Sequence, residues 1–226
     1  MRDTYQRFAV YYAPAPGSDL ARAGAAWLGW DPATGMDMPQ PDLGLDLAAL
    51  TATPRKYGLH GTLKPPMWLS GGVASFLDGV EALADQLAPV PLDGLRLKPI
   101  GGFLAIVTHP QPQALIDCAD RIVRALDPFR APLTERDLAR RRAAGLSPRQ
   151  EALLQRWGYP YVMEEFRFHV TLTGKLPPDQ MPDALRAAHA WFDPALAQAQ
   201  ALDALCVFGE DDSGRFHLLR RFAMRG

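Results

Sequence analysis

Two histidine–threonine pairs with the same spacing are the residues of this sequence best suited to chemistry. They occur in His60-Gly61-Thr62-Leu63 and His169-Val170-Thr171-Leu172. Side chains alternate between the two faces of a β-strand, so the histidine and threonine of each pair share one face and their apolar neighbours face a core. Each strand therefore offers an imidazole and a hydroxyl to the same side. A phosphoester, whose cleavage needs one proton removed and one donated, matches this combination.

The same alternation adds further candidates. Lys64 falls on the His60 face of the first strand, whereas Arg167 and Thr173 fall on the His169 face of the second. The two cations would neutralise phosphate charge. A solvated strand edge is the alternative for both.

Two residues outside these strands are weaker candidates. Arg55 precedes the first strand and is a further candidate phosphate ligand. Tyr11 lies on the opposite face of its strand from Phe8 and Val10, so it would line the cleft unless it serves ordinary packing.

We predict that His60 and His169 act as general acid and general base, since the imidazole pKa of about 6.5 makes both forms accessible near neutrality. The sequence does not decide which histidine takes which role. Thr62 and Thr171 would donate hydrogen bonds to the non-bridging phosphate oxygens.

Overall charge and composition narrow the function. The 226 residues carry a net charge of −1, which does not favour binding to extended nucleic acid but allows a small phosphorylated substrate. Histidines, cysteines and carboxylates show no metal-ligand spacing, and no Walker-type glycine-rich loop occurs. We therefore expect no metal and no cofactor.

The cysteines and the hydropathy pattern indicate the cellular location of the protein. Its two cysteines, Cys118 and Cys206, form no CxxC motif and lie in apolar segments, as reduced core thiols would. The N-terminal apolar run is too short and too aromatic for a signal peptide, and no stretch approaches a membrane span. We expect a cytoplasmic monomer that does not contact membranes.

The order of predicted elements contains a repeat. Strand, helix, loop, His/Thr strand, helix and strand follow one another twice, over about 7–99 and about 103–222, and the two histidines are 109 residues apart. Two such lobes would place the His/Thr strands symmetrically about a cleft. We predict one bilobal α+β domain over 1–226, with two antiparallel sheets lining the cleft and helices outside.

An arginine-rich insert at about 130–157 interrupts the second repeat. Thr134 and Ser147-Pro148 predict the starts of two helices within it. One hypothesis makes the insert a lid whose Arg140 and Arg141 add a second phosphate subsite. The alternative is a surface helical pair with a solvated basic face.

Two His-x-Thr-hydrophobic copies in a duplicated α+β chain resemble the two-histidine (2H) phosphoesterases, which include RNA 2′,3′-cyclic phosphodiesterases of the RNA-ligase-like type. A closer resemblance, to an uncharacterised bacterial branch encoded in phosphonate-utilisation operons, is carried by RFAVYYAP, YGLHGTLKPP, RAPLTERDLARRR, WGYPYV and FRFHVTLTG. The superfamily resemblance implies metal-independent hydrolysis of a cyclic phosphodiester. The branch resemblance suggests a ribose cyclic phosphate of phosphonate metabolism as the substrate.

Two other functions stay open from the sequence. One is RNA-end processing by a 2′,3′-cyclic phosphodiesterase or ligase, which would require a basic groove beyond the cleft. The other is a non-catalytic module that binds nucleotides or phosphate esters. Simple binding would not need paired proton-transfer groups, so we favour the cyclic phosphodiesterase.

Overall fold

A computed structural model describes residues 5–226, so the first four residues of the predicted domain lie outside the described range. The strands are β1 (Phe8–Tyr12), β2 (Trp30–Asp31), β3 (Met36–Asp37), β4 (Gly61–Met67), β5 (Val90–Pro91), β6 (Leu95–Ile100), β7 (Phe103–Thr108), β8 (His169–Thr171), β9 (Ala201–Leu202), β10 (Ala204–Glu210) and β11 (Phe216–Ala223). The α-helices are α1 (Asp19–Leu28), α2 (Leu47–Leu50), α3 (Val73–Ala84), α4 (Gln113–Leu126), α5 (Glu135–Arg142), α6 (Pro148–Trp157) and α7 (Met181–Leu196).

Seven strands form one antiparallel sheet in the order β11-β10-β1-β4-β8-β7-β6. One face of this sheet, which carries Val10, Leu63 and Val170, shares the main hydrophobic core with α1, α3, α4 and α7. The predicted class, α+β with antiparallel strands and outer helices, is confirmed. The two predicted sheets are joined into one, because β4 and β8 pair at its centre.

The strand order is symmetric about the β4–β8 pair. Moving outwards, β1 and β7 come next, followed by β10 and β6. Strand β10, from the second predicted repeat, thus lies beside β1 of the first, and β6 of the first lies beside β7 of the second.

Strand β4 contains an irregularity in its pairing with β1, and it continues through Pro65 and Pro66 to Met67. Tyr11 pairs with Thr62 while the preceding residue of β1, Val10, pairs with Lys64, so β4 contains an extra residue at this point. Such a β-bulge re-aims the side chains that follow it.

Because of this bulge, the Lys64 side chain points to the opposite face of the sheet from the one predicted. Its ammonium group lies on the helix-covered side, where it donates hydrogen bonds to the Asp127 carboxylate (2.9 Å) and to the Val123 carbonyl oxygen (3.2 Å). The side chain is fully buried. Lys64 therefore ties β4 to the end of α4 and does not share the face of His60 and Thr62.

The arginine-rich insert forms α5 and α6, and both predicted helix starts are confirmed. The Thr134 hydroxyl accepts a hydrogen bond from the Asp137 amide at the start of α5. Ser147 and Gln150 form a reciprocal capping box at the start of α6. Leu153 of α6 packs with Val123 of α4 in a small separate core, which anchors the insert to the domain.

Two further features concern the cysteines and the lengths of the helices. Cys118 and Cys206 are both buried and free of disulfides. Within residues 5–226, no helix combines the length and the apolar composition that crossing a bilayer would require.

Candidate active site

The two His/Thr pairs meet at the centre of the sheet. Gly61 pairs with Val170 across the antiparallel β4–β8 junction. In this register Thr62 lies across from His169, and His60 lies across from Thr171. Val170 faces the helix-covered core, so the four polar residues share the opposite face as a square with the histidines on one diagonal and the threonines on the other.

Both imidazoles are oriented by the same contact. The Nδ1 atom of His60 lies 2.9 Å from the Gly58 carbonyl oxygen, and Nδ1 of His169 lies 2.8 Å from the Arg167 carbonyl oxygen. A carbonyl oxygen only accepts hydrogen bonds, so Nδ1 carries the proton in each ring. In both neutral rings Nε2 is then left as the proton acceptor.

Local backbone geometry positions each histidine. Gly58 has φ of +71°, which favours glycine, and it ends the 3₁₀ turn Pro54–Tyr57 before His60. On the other strand, Gln111 accepts a hydrogen bond from the Phe168 amide and donates one to the Phe166 carbonyl oxygen. These bonds fix the backbone directly before His169.

His60 has the more enclosed imidazole. Its ring centroid lies 4.2 Å from that of Tyr11 and 5.3 Å from that of Tyr57. Burial lowers the pKa of His60 to about 4, with a further lowering by the nearby His169 and an opposing effect of the Gly58 carbonyl. His60 is therefore neutral at physiological pH.

A cavity of about 440 Å³ lies over this face. Of the predicted site residues, those that line it are Tyr11, His60, Thr62, Thr171, Arg140 and Arg141. His169 is half-buried on the same face, two residues before Thr171, and does not itself line the cavity. The sheet thus supplies the floor, and the insert helix α5 supplies one wall.

Three other predicted ligands lie elsewhere. Arg55 donates hydrogen bonds to the carbonyl oxygens of Leu28 and Ala48, so its guanidinium group braces a loop. Thr173 is buried, and its hydroxyl accepts a hydrogen bond from the Leu104 amide. Arg167 turns back to donate to the carbonyl oxygens of Glu164 and Phe166 and does not line the cavity.

Arg7 and Tyr159 are two of the cavity residues that were not among the predicted ligands. Arg7 lines the cavity and is held by a bidentate ion pair with Glu210. Strand alternation places Arg7 on the Tyr11 face, so the sequence did contain this signal. Tyr159 lines the cavity from beyond α6, and no local pattern marks it.

A larger cavity of about 670 Å³ lies beside α1, lined mostly by alanine, proline and other apolar side chains. Neither histidine of the two pairs borders it. Convergent polar groups mark a functional site better than volume does, so the smaller cavity is the candidate active site. Residues 5–226 contain no cluster of three or more histidine, cysteine or carboxylate side chains placed to hold a metal ion.

Comparison with known families gives a direct match. Residues 62–217 match the family model described as "Protein of unknown function (DUF1045)". The chain belongs to this family. The match runs from Thr62 through α7 to β11, and so includes most of the candidate site.

Two relatives align with this sequence over nearly its full length. Both are named "Ribose 1,5-bisphosphate phosphokinase PhnN", from Janthinobacterium sp. (strain Marseille) and Laribacter hongkongensis (strain HLHK9). They are 39% and 36% identical over 94% and 95% of this DUF1045 chain. The chain spans about half the length of these relatives, 49% and 51% respectively.

Two solved structures have a backbone that superposes on this chain. One is E. coli LigT in complex with 3′-AMP, at 15% sequence identity, and the other is a protein described as a phosphoesterase, at 14%. Each covers 98% of this DUF1045 chain and 99% of its own, with TM-scores of 0.46 and 0.43. At TM-scores below 0.5, these similarities do not indicate a function for this chain.

Proposed function

We propose that this protein is a phosphodiesterase that hydrolyses a small cyclic phosphodiester by two-histidine acid–base catalysis without a metal ion. The observation that carries the proposal is the square of His60, Thr62, His169 and Thr171 on one face of the sheet. Both rings have their Nε2 atoms free of protein partners among the described residues. One imidazole can therefore accept a proton while the other donates one.

We assign the two roles from the surroundings of the two rings. His60 is the general base, because burial keeps it neutral. Its Nε2 takes a proton from water as the water oxygen bonds to phosphorus. One ester P–O bond of the ring then breaks, and protonated His169 gives its Nε2 proton to the leaving oxygen. The products are a phosphate monoester and a free hydroxyl group on the same molecule.

The hydroxyl groups of Thr62 and Thr171 serve the phosphorus centre. Both line the cavity, on the diagonal opposite to that of the histidines. We assign them to donate hydrogen bonds to the two non-bridging oxygens, where negative charge is held in the transition state. Arg7, fixed by Glu210, places its guanidinium group in the lining of the same cavity.

A ribose cyclic phosphate is the substrate that we propose. Two relatives are named for a ribose bisphosphate, and opening a ribose cyclic phosphate leaves a ribose phosphate monoester. The sequence resemblance to a branch encoded in phosphonate-utilisation operons supports the same class. The phosphokinase activity in the relatives' names concerns proteins about twice as long, and this chain contains no Walker-type GxxxxGK[ST] motif.

The test is hydrolysis in EDTA of ribose 1,2-cyclic phosphates and nucleoside 2′,3′-cyclic phosphates. We expect turnover by the wild type, and a loss of at least about 10²-fold in kcat for His60→Ala and for His169→Ala. His189→Ala is the matched control, because this histidine lies on the exposed side of α7 beside Asp193 and outside the cavity.

The outcomes separate the alternatives. Turnover that both substitutions abolish and the control retains would establish the proposed chemistry. Activity only on the nucleoside 2′,3′-cyclic phosphates would favour RNA-end processing. Binding of cyclic phosphates without turnover would leave a non-catalytic binding module.

A further inference from the structure

Arg141 has an unusual environment in the cavity wall. Its guanidinium carbon lies 5.1 Å from the ring centroid of Tyr159, in a cation–π arrangement. Its Nε atom is shielded from solvent and has no hydrogen-bond partner in the described part of the chain. Buried donors are nearly always paired, so this one is left for a group that the protein does not supply.

The other two cavity arginines differ in this respect. Arg7 is paired with Glu210, and Arg140 is paired with Asp137 at 3.0 Å. Arg141 forms no ion pair with any carboxylate of residues 5–226, and no carboxylate among these residues lines the cavity. The cavity wall therefore holds one positive charge without a counter-ion.

We infer that Arg141 anchors a second anion subsite, which binds a terminal phosphate monoester of the substrate at a distance from the phosphorus that reacts. This inference rests on the proposed function and deepens it, since it specifies a substrate with two phosphate groups. The reacting phosphate has its own ligands on the sheet, Thr62 and Thr171, whereas Arg141 projects from α5.

The chemistry of the guanidinium group fits this role. The guanidinium group lies over the Tyr159 ring, and its two Nη atoms, which form no hydrogen bond among the described residues, are available to phosphate oxygens in a bidentate contact. A cavity of about 440 Å³ is within the usual size range of small-molecule sites. A sugar with phosphates at two positions could thus contact the sheet and α5 together.

The decisive experiment compares two substrates that differ by one group. Adenosine 2′,3′-cyclic phosphate is assayed with and without a 5′-phosphate, using the wild type, Arg141→Ala, Arg141→Lys and Arg142→Ala. Arg142 is the matched control, because it lies on the same helix but is exposed and paired with Glu151.

We expect Arg141→Ala to raise KM for the 5′-phosphorylated substrate by about 10- to 100-fold, the range for charged hydrogen bonds, and to change KM for the other substrate less than about twofold. Arg141→Lys should raise this KM by an intermediate factor, because lysine keeps the positive charge but lacks the planar guanidinium group that binds two oxygens at once. Equal effects on both substrates would assign Arg141 to the reacting phosphate and overturn the inference, as would no effect on either.

A binding measurement keeps the inference separate from the proposed reaction. Calorimetric titration with adenosine 5′-monophosphate and with adenosine needs no turnover. If the subsite exists, the monophosphate binds more tightly than adenosine, and the difference disappears in Arg141→Ala but not in Arg142→Ala. A difference that persists in Arg141→Ala would overturn the subsite even if the hydrolysis proposal holds.

Discussion

The ring of Tyr11 lies against the ring of His60, with 4.2 Å between the centroids and 37° between the planes. Tyr57 approaches the same imidazole at 5.3 Å. Burial lowers the pKa of His60, and these two rings cover part of its imidazole. The two histidines thus have similar backbone contacts but different surroundings.

The enclosure leads to a prediction about pH. A general base must be neutral to act, so activity is lost as the pH falls through the pKa of His60, about 4. We expect the acid limb of the kcat/KM profile near pH 4, well below the ordinary histidine value of about 6.5. Titration of the His60 ring by NMR should give the same midpoint.

A Tyr11 variant tests whether the enclosing tyrosines lower the pKa of His60. Tyr11→Ala admits water beside His60 and should move the acid limb upwards towards pH 6.5. The exposed Tyr161 provides the matched control, and Tyr161→Ala should leave the limb in place. An acid limb near 6.5 in the wild type would contradict the assignment of His60 as the base.

The two threonines give a second prediction. Thr62→Val and Thr171→Val retain side-chain shape but remove the hydroxyl donor, so we expect kcat to fall by about 10²–10³-fold, with a much smaller change in KM. Steady-state kinetics on a cyclic phosphate measures both constants.

Thr173→Val is the control for the threonine variants. Its hydroxyl bonds to the Leu104 amide and lies outside the cavity, so the substitution should lower the melting temperature and leave kcat within about twofold. A loss of kcat for Thr173→Val as large as that for Thr171→Val would show that the hydroxyls act through the fold.

Lys64 gives a third prediction, opposite to the one that its sequence position suggests. Lys64→Met should lower the free energy of unfolding by about 2–3 kcal/mol, because it breaks a buried ion pair. The loss is moderate since Asp127 keeps Arg130 as a partner. Denaturant titration measures this change.

Activity is the second measurement on this variant. KM for the cyclic phosphate should stay unchanged, because the Lys64 ammonium group lies on the other side of the sheet from the cavity. The exposed Lys98 of β6, as Lys98→Met, is the control for both measurements and should change neither. A large rise in KM for Lys64→Met would restore the predicted role in substrate binding.

Local sequence was sufficient for the parts of the site that depend on strand alternation. The two-residue spacing placed His60 with Thr62, and His169 with Thr171, on shared faces. The same rule would have included Arg7, which lies four residues before Tyr11. The capping residues Thr134 and Ser147 also marked the starts of α5 and α6, since capping is a local interaction.

Tertiary structure decided what local rules could not. The register between β4 and β1 contains a bulge, and this reverses the direction of Lys64. Arg55 and Thr173 are occupied by backbone groups from distant segments. Such partners depend on how the chain folds back on itself, and the spacing of residues along it does not encode them.

The sequence by itself determined the groups available for chemistry, two imidazoles and two hydroxyls in repeated local contexts. Only the tertiary structure brought His60 and His169 together across the Gly61–Val170 pair, although they are 109 residues apart. It also decided that His60 is enclosed by tyrosines and that Nε of Arg141 has no hydrogen-bond partner within residues 5–226. The physical reason is that burial and charge pairing depend on non-local contacts, whereas alternation and capping are set by neighbouring residues.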